Sequence, residues 1–541
     1  MTRLPPPRSV GAAGAEAIDK AAEQVTTGWA AALALTIGSR LQGLLHIGAP
    51  LAVFAVPAVV RRLREQPDVR WPRVILGLFV ATVLAMPMMA ILGQLVDPDR
   101  GFSATEFLKD FIRITSLALV VVGILWSCLR IRPEWVMALV AAGIAVRYIV
   151  FPDVSADELF KFRLGPTLPF ILLAVVARAP RPVQLVALAV VAAMSAYFNL
   201  RASLLASAIG FVALGATMLV PFATRRRRPT MGTTIVALLL TGLAMGVGGL
   251  VVPQMAEDGV FGADIQHRQI SQEVTGVGVF GARIEPGASL ALVQHQPLGL
   301  GPGVLPSQTD RGVAWDGLID IGVNPNGNDF NAHYMRDIVA NRIFLHSNLA
   351  EFWWFYGPVG AALIVAIAIF MGLRFIEQLG REDRYLCGLV LYASMRSVWD
   401  CFFEPVLPIG TNLMVTTGFL LCVHLLRRAD AGAAAGPGDA AVSEPRHAQA
   451  TWSRTHLSTR AAKRSAENSP AASRMALRSR PAARRTASAT VRRSSQSLTR
   501  WPARPSVTDS AVPPTDEAIT GHPAAIASTG MMPKSSTGGK R

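Results

Sequence analysis

An all-α polytopic membrane protein of about twelve transmembrane helices, with one large external loop between spans 9 and 10, is the fold class this sequence predicts. Three observations predict it. The 541 residues are 51% hydrophobic and only 16% charged, with a mean hydropathy of +0.38, which is too apolar for a soluble chain of this length. About a dozen apolar stretches fill Thr26 to Leu426. Between them, Lys and Arg gather in every second short loop, as they do on the cytoplasmic side of membrane proteins.

A bilayer core of about 30 Å takes roughly 20 apolar residues per helix. On that ruler the spans fall near 24–39, 42–60, 74–96, 111–129, 134–151, 163–178, 183–199, 203–221, 231–252, 356–373, 385–401 and 406–426. Arg40 interrupts the first two, which read equally as one long kinked segment or as a re-entrant pair. Basic clusters at Arg61-Arg62-Leu63-Arg64, Arg130-Ile131-Arg132, Arg178 with Arg181, Arg225 to Arg228, Arg374 with Arg381 and Arg384, and Arg427-Arg428 mark one side. The alternate loops are acidic or neutral, as at Asp97-Pro98-Asp99 and Asp153 to Glu158. The alternation predicts that both termini are cytoplasmic and that the segment from about Val252 to Glu351 is external.

The chain accordingly divides into an N-terminal tail over 1–23, spans 1–9 over 24–252, the external loop over 253–355, spans 10–12 over 356–426 and a basic tail over 427–541. The N-terminus lacks an apolar core followed by a small-residue cleavage site, so the first span is expected to direct insertion. After Arg428 the composition turns to Ala, Ser, Thr, Pro and Arg, a mixture that buries too little surface to offset ordering entropy and is expected to be disordered. Much of the formal charge of +16 lies in that tail; the charge mostly reports topology, not nucleic acid, and the tail reads first as solvated, with contact of its arginines to the anionic cytoplasmic leaflet as the alternative. Cys128, Cys387, Cys401 and Cys422 lie within or at the ends of spans, which argues against a disulfide-stapled external loop.

Most of the chemistry is expected in that loop. Gly281-Ala282-Arg283-Ile284-Glu285 opens a stretch of helical character through Val293, followed by Pro297-Leu298-Gly299-Leu300-Gly301-Pro302-Gly303. Glycines at Gly299 and Gly301 free the backbone to approach a ligand closely, and no Gly-Lys-Ser/Thr follows to make a phosphate-binding Walker loop. An amphipathic segment from His333 to Asn341 leads to His346-Ser347-Asn348-Leu349-Ala350-Glu351. The aromatic run Phe352-Trp353-Trp354-Phe355-Tyr356 then enters the membrane and is expected to anchor at the interface, setting His346 at or just above headgroup depth.

The His346-Ser347-Asn348-Leu349 run, with Gly357-Pro358-Val359-Gly360 after Tyr356, resembles the signature of the O-antigen ligase and polymerase superfamily. Arg283 followed by Pro297 to Gly301 resembles that family's loop arginine and Pro-x-x-Gly-x-Gly turn. Asn199-Leu200-Arg201-Ala202-Ser203 resembles its short Ser-Arg-Gly/Ala turn. The layout over residues 24 to 426 is also similar.

The resemblance implies transfer of a glycan from a polyprenyl (undecaprenyl) diphosphate carrier to a glycan or lipid acceptor hydroxyl, on the outer face of the cytoplasmic membrane. It implies no metal, no cofactor and no nucleic acid. Planar guanidinium forks suit diphosphate oxygens, so Arg201 and Arg283 are the expected diphosphate ligands. His346 is the expected base or acceptor-positioning group. Asn348, Glu351, Gly299, Gly301, Arg268, Arg342 and Arg396 are the expected substrate-binding residues. Plainer roles compete: a helix-end hydrogen bond for His346, snorkelling for Arg201 and Arg396, an ion pair with Glu285 for Arg283, and an anchor for Trp353 and Trp354. A polymerase would use the same chemistry on a different acceptor. A lipid-linked sugar transporter is expected to concentrate ionisable residues at the midplane, whereas here they cluster at span ends.

Overall fold

The computed structural model describes residues 10–434 apart from 42–44, 67–68, 151–164, 166, 199, 220–253, 256, 261, 264–265, 267–269, 271–284, 324–338, 340–342, 382–384 and 405. The expected ninth span at 231–252, the amphipathic segment from His333 to Asn341 apart from Val339, and the basic tail beyond Ala434 lie outside the described residues.

What is described is a helical membrane protein with two two-stranded ribbons. The chain runs through α1 (Val10–Ile37), β1 (Arg40–Leu41), β2 (Leu45–His46), α2 (Ala49–Ala52), α3 (Val56–Glu65), α4 (Arg70–Val96), β3 (Gly101–Phe102), α5 (Ala104–Cys128) and α6 (Pro133–Val150). It continues through α7 (Leu168–Val175), α8 (Arg181–Tyr197), α9 (Arg201–Leu219), α10 (Glu285–His295), β4 (Val304–Leu305), α11 (Gln308–Asp320), α12 (Asn348–Leu379), α13 (Cys387–Phe403) and α14 (Val406–Ala434). Helix α12 packs on α13 and α4, α14 on α5, α9 on α8 and α13, and α1 on α5 and α6.

Three helices, α4, α5 and α12, are long and apolar enough to cross a membrane by length and composition. Arg181–Tyr197 and Ala202–Met218 are apolar but shorter. The described residues therefore give fewer qualifying spans than the twelve expected. The clearest departure is 42–60, which is not a single helix. Strands β1 and β2 pair there with Arg40 opposite His46, and Pro50 and Pro57 sit in the first turns of α2 and α3, where a missing N–H ends one ladder and starts the next. The segment is pinned by His46, whose Nδ1 lies 2.8 Å from the Ile37 carbonyl and whose N–H donates to Ser116 Oγ at 3.1 Å.

Helix α4 shows how a span divides its faces. Ile75, Phe79, Met86, Met89 and Gly93 are buried against neighbours, while Val80, Leu84, Met88, Ile91 and Leu95 are exposed. That exposed row, at helical spacing and wholly apolar, is the face of a span toward lipid.

The loop is docked onto the α4–α5 end of the bundle by specific contacts. Strand β3 pairs with β4, Gly101 opposite Leu305. Arg100 and Asp310, both buried, form a bidentate pair at 2.9 and 2.6 Å, and Arg100 also donates to the Gly93 carbonyl at 2.9 Å. Asp310 is at the same time the third residue of a capping box with Ser307 that starts α11. Asp110 pairs with Arg113 at 2.9 Å and accepts from the Gly303 N–H at 3.2 Å.

Between α10 and β4 the chain dips into the bundle. A Cβ on Gly301 would lie 2.4 Å from the Met89 carbonyl oxygen, and Met89 lies seven residues, about 10 Å along the axis, inside the Val96 end of α4. Irregular backbone at that depth is tolerated only where its polar groups are satisfied inside protein. Here they are: Leu300 and Gly301 N–H both donate to the Trp354 carbonyl at 2.7 and 3.2 Å, Gly299 N–H donates to the Gln296 carbonyl at 3.0 Å, and the Pro297 carbonyl accepts from Trp353 Nε1 at 2.9 Å.

The aromatic run from Phe352 to Tyr356 is thereby corrected. All five side chains are buried in protein, with Trp354 and Phe352 fully enclosed. They clasp the re-entrant turn and do not form an interfacial anchor. Helix α12 breaks immediately after them, at Gly357, whose φ of 69° and ψ of −161° are non-helical.

Candidate functional site

His346 stands at the entrance to α12. Ile343 and Leu345, both fully buried, fix the chain on its approach. Ser347 is the N-cap, its hydroxyl accepting from the Ala350 N–H at 3.3 Å, as Ser does when it satisfies an otherwise orphaned donor. Between these two constraints His346 takes a φ of 45°, a left-handed conformation that costs a side-chain-bearing residue roughly 1–3 kcal/mol.

The ring faces a carboxylate. His346 Nδ1 lies 3.8 Å from Glu285 Oε1, the His346 side chain being 29% exposed and that of Glu285 only 3%. Glu285 is the first residue of α10, where the positive end of the helix dipole suits an anion. At 3.8 Å the contact is longer than a hydrogen bond and is a charge pair when the imidazole carries its second proton.

Two and five residues further on, Asn348 and Glu351 are buried in the protein. Asn348 is fully buried, and its Nδ2 donates to the Asp400 carbonyl at 2.6 Å. Its Oδ1 has no hydrogen-bond partner among the described residues. Glu351, one helical turn along, is 1% exposed.

Asp400 joins this segment to Arg396. The Arg396 guanidinium holds Asp400 Oδ1 at 2.8 Å and Glu404 Oε1 at 3.1 Å, and its third side donates to Ser203 Oγ at 3.2 Å. Tyr392 donates to the same hydroxyl at 3.2 Å. Arg396, expected as a substrate ligand, is thus engaged by protein on three sides and 4% exposed; it ties α9 to α13, and α12 joins them through Asn348 and the Asp400 carbonyl.

The sequence-predicted residues divide accordingly. The structure brings the His346–Glu351 segment, Arg396 and the first turn of α9 to one end. Arg201 is the first residue of α9, two before Ser203; it shares that end by its backbone position. Arg283, Arg268 and Arg342 lie outside the described residues, although the described chain resumes at Glu285, two residues after Arg283. Gly299 and Gly301 have φ of 80° and 96°, and a Cβ on either would lie 2.4 Å from a carbonyl oxygen, of Trp353 and of Met89 respectively. Close packing against α12 and α4 accounts for both glycines.

Sequence reasoning missed Asp400 and Glu404, and took Ser203 only as part of the motif around Arg201. Asp400 had a signal, since it stands four residues after Arg396 on one helix face. Arg100 with Asp310 had none: those residues are 210 apart and meet only in the folded chain. Among the described residues no group of three or more His, Cys, Asp or Glu side chains is placed to hold a metal ion. No protein-family model matches the chain, and no curated protein matches it.

Proposed function

We propose that the chain is a membrane glycosyltransferase that moves a glycan from a polyprenyl diphosphate carrier to an acceptor hydroxyl at the outer face of the cytoplasmic membrane, in the manner of an O-antigen ligase. This reading takes the twelve-span layout, with both termini cytoplasmic and the 253–355 loop outside. It rests on the sequence motifs and on one observation above the others: a strained, partly exposed His346 with a buried Glu285 carboxylate 3.8 Å from its Nδ1.

In the proposed reaction the acceptor oxygen attacks the anomeric carbon while the bond to the carrier diphosphate breaks. His346 takes the hydroxyl proton, and Glu285 favours the imidazolium so formed. Arg201 and Arg283 neutralise the charge that grows on the departing diphosphate. Asn348, through its buried Oδ1, and Glu351 supply further polar groups beside His346.

The test uses membranes carrying Arg283→Ala or His346→Ala at normal protein level, with carrier-linked donor and transferred glycan followed together. Accumulation of carrier-linked glycan with loss of the transferred product is expected for each. Normal transfer by both variants removes the proposal.

A further inference from the structure

We infer that the seam between α12 and α14, at the end of α12 remote from His346, binds the phosphate group of an anionic ligand through Arg374 and Gln378. The inference depends on the membrane character of the chain and not on the glycosyltransferase reading.

The level of the seam is set by α12 itself. Val365, Ile369 and Leu373 form an exposed apolar row at four-residue spacing, the face a membrane helix turns to lipid. The next position in that row is Glu377, and Arg374 directly follows Leu373. Apolar exposure gives way to charge there, as it does where a span meets the headgroups.

Inside the seam the two helices interlock through polar side chains. Arg374 Nη1 lies 2.5 Å from His424 Nδ1. A guanidinium keeps its protons, so the imidazole nitrogen is the acceptor and the ring brings no negative charge. One turn further along α12, Gln378 Oε1 accepts from Arg427 Nη2 at 2.7 Å. Arg374 and Arg381 both pair with the single carboxylate of Glu377. Two positive charges thus share one negative charge.

Two donors are left over. Arg374 Nε and Gln378 Nε2 are each buried without a hydrogen-bond partner, in residues that are 9% and 1% exposed. The Gln378 amide cannot be turned round to relieve this, because Arg427 only donates and needs the oxygen where it is. Standing four residues apart, the two donors share a helix face. Buried N–H groups are nearly always satisfied, and these two lie beside an excess of positive charge. The acceptor that suits them is anionic and carries several oxygens. A tetrahedral phosphate gives one oxygen to the guanidinium and another to the amide, while its charge offsets the excess. Basic pockets between membrane helices at headgroup level hold lipid phosphates in this way, and a soluble phosphate offers the same oxygens.

The experiment follows thermal unfolding of the full chain in nonionic detergent while phosphatidylglycerol, inorganic phosphate or a diacylglycerol with the same acyl chains is titrated in. Native mass spectrometry counts the phospholipid retained through purification. We expect the melting temperature to rise with phosphatidylglycerol; a rise with inorganic phosphate as well assigns the site to phosphate from either source, and a rise with inorganic phosphate alone to the soluble one. Arg374→Gln and, separately, Gln378→Met are each expected to raise the half-maximal concentration by about tenfold or more, the worth of one charge-assisted hydrogen bond. Arg61→Gln, which removes an exposed arginine of another basic cluster, is expected to leave it unchanged. Where the parent chain already retains its lipid and gives no shift, loss of that lipid in Gln378→Met supports the inference and its retention overturns it. An equal rise with diacylglycerol overturns it, because acyl chains are then what binds. Responses of both variants equal to that of the parent overturn it too, as does a parent with neither a shift nor retained phospholipid. Should Arg374→Gln fail to give folded protein, Gln378→Met, which changes no charge, carries the same test.

Discussion

The Leu300 amide donates to the Trp354 carbonyl at 2.7 Å, and that carbonyl is open to it because the residue four positions on is Pro358, which has no N–H to give. The break of α12 at Gly357 followed by Pro358 thus leaves the acceptor on which the loop's re-entrant turn is hung. Restoring an N–H at that position sets up a competitor. Pro358→Ala is expected to extend the α12 ladder through Trp354 and to speed hydrogen exchange at Leu300 and Gly301. Unchanged exchange at both amides would show that the turn is held by its other contacts.

The turn's own glycines give a second expectation. Gly301→Ala puts a Cβ 2.4 Å from the Met89 carbonyl oxygen at a φ of 96°, and is expected to cost at least about 1–3 kcal/mol from backbone strain alone. Gly312, exposed on α11 with open space around it, is the control. Gly312→Ala is expected to stabilise by up to about 1 kcal/mol. Thermal unfolding of the two variants in one detergent compares them directly.

The Arg100–Asp310 pair is buried at both ends, and removing one partner of such a pair strands a charge. Asp310→Ala is expected to destabilise the docked loop by about 3–5 kcal/mol, with added loss of the α11 cap. Limited proteolysis between 285 and 323 reads the loosening. Protection equal to that of the parent chain would mean that the ribbon β3–β4 holds the loop alone.

Arg396 and Asp400 make a parallel case inside the bundle. Asp400→Ala leaves the guanidinium with Glu404 as its remaining carboxylate and is expected to cost about 3–5 kcal/mol, whereas Arg396→Met with Asp400→Leu and Glu404→Gln, which leaves no buried charge unpaired, recovers much of that loss. Yield and melting temperature of folded protein measure both. A triple variant less stable than Asp400→Ala would assign Arg396 a role its ion pairs do not explain.

Under the proposed chemistry, His346→Ala is expected to lower the transfer rate by about 10²–10⁴, the usual worth of a general base. Glu285→Gln is expected to lower it less, and the two together no further than His346→Ala. Additive losses would place Glu285 in a role separate from the imidazole.

Much of this arrangement is legible in the chain. The apolar rows of α4, α5 and α12 announce spans through length and composition, and the helix expected from Gly281 through Val293 is found as Glu285–His295. The small polar cap after His346 is legible too, since Ser followed by an apolar run starts helices. The aromatic run after Glu351 misled, because Trp and Tyr have the same sequence appearance whether they face headgroups or clasp a buried turn. The segment 42–60 misled because hydropathy counts apolar residues and ignores where Pro50 and Pro57 interrupt a ladder.

By itself the sequence determined that this protein is helical and built for a membrane, because hydropathy and helix-capping signals act over a few neighbouring residues. Only the tertiary structure decided that Glu285 faces His346, that Asp310 meets Arg100 and that Ser203, Arg396 and Asn348 share one frame. Those contacts join residues dozens to hundreds of positions apart. Their partners are chosen by packing and by the cost of burying an unpaired charge, which no local pattern records.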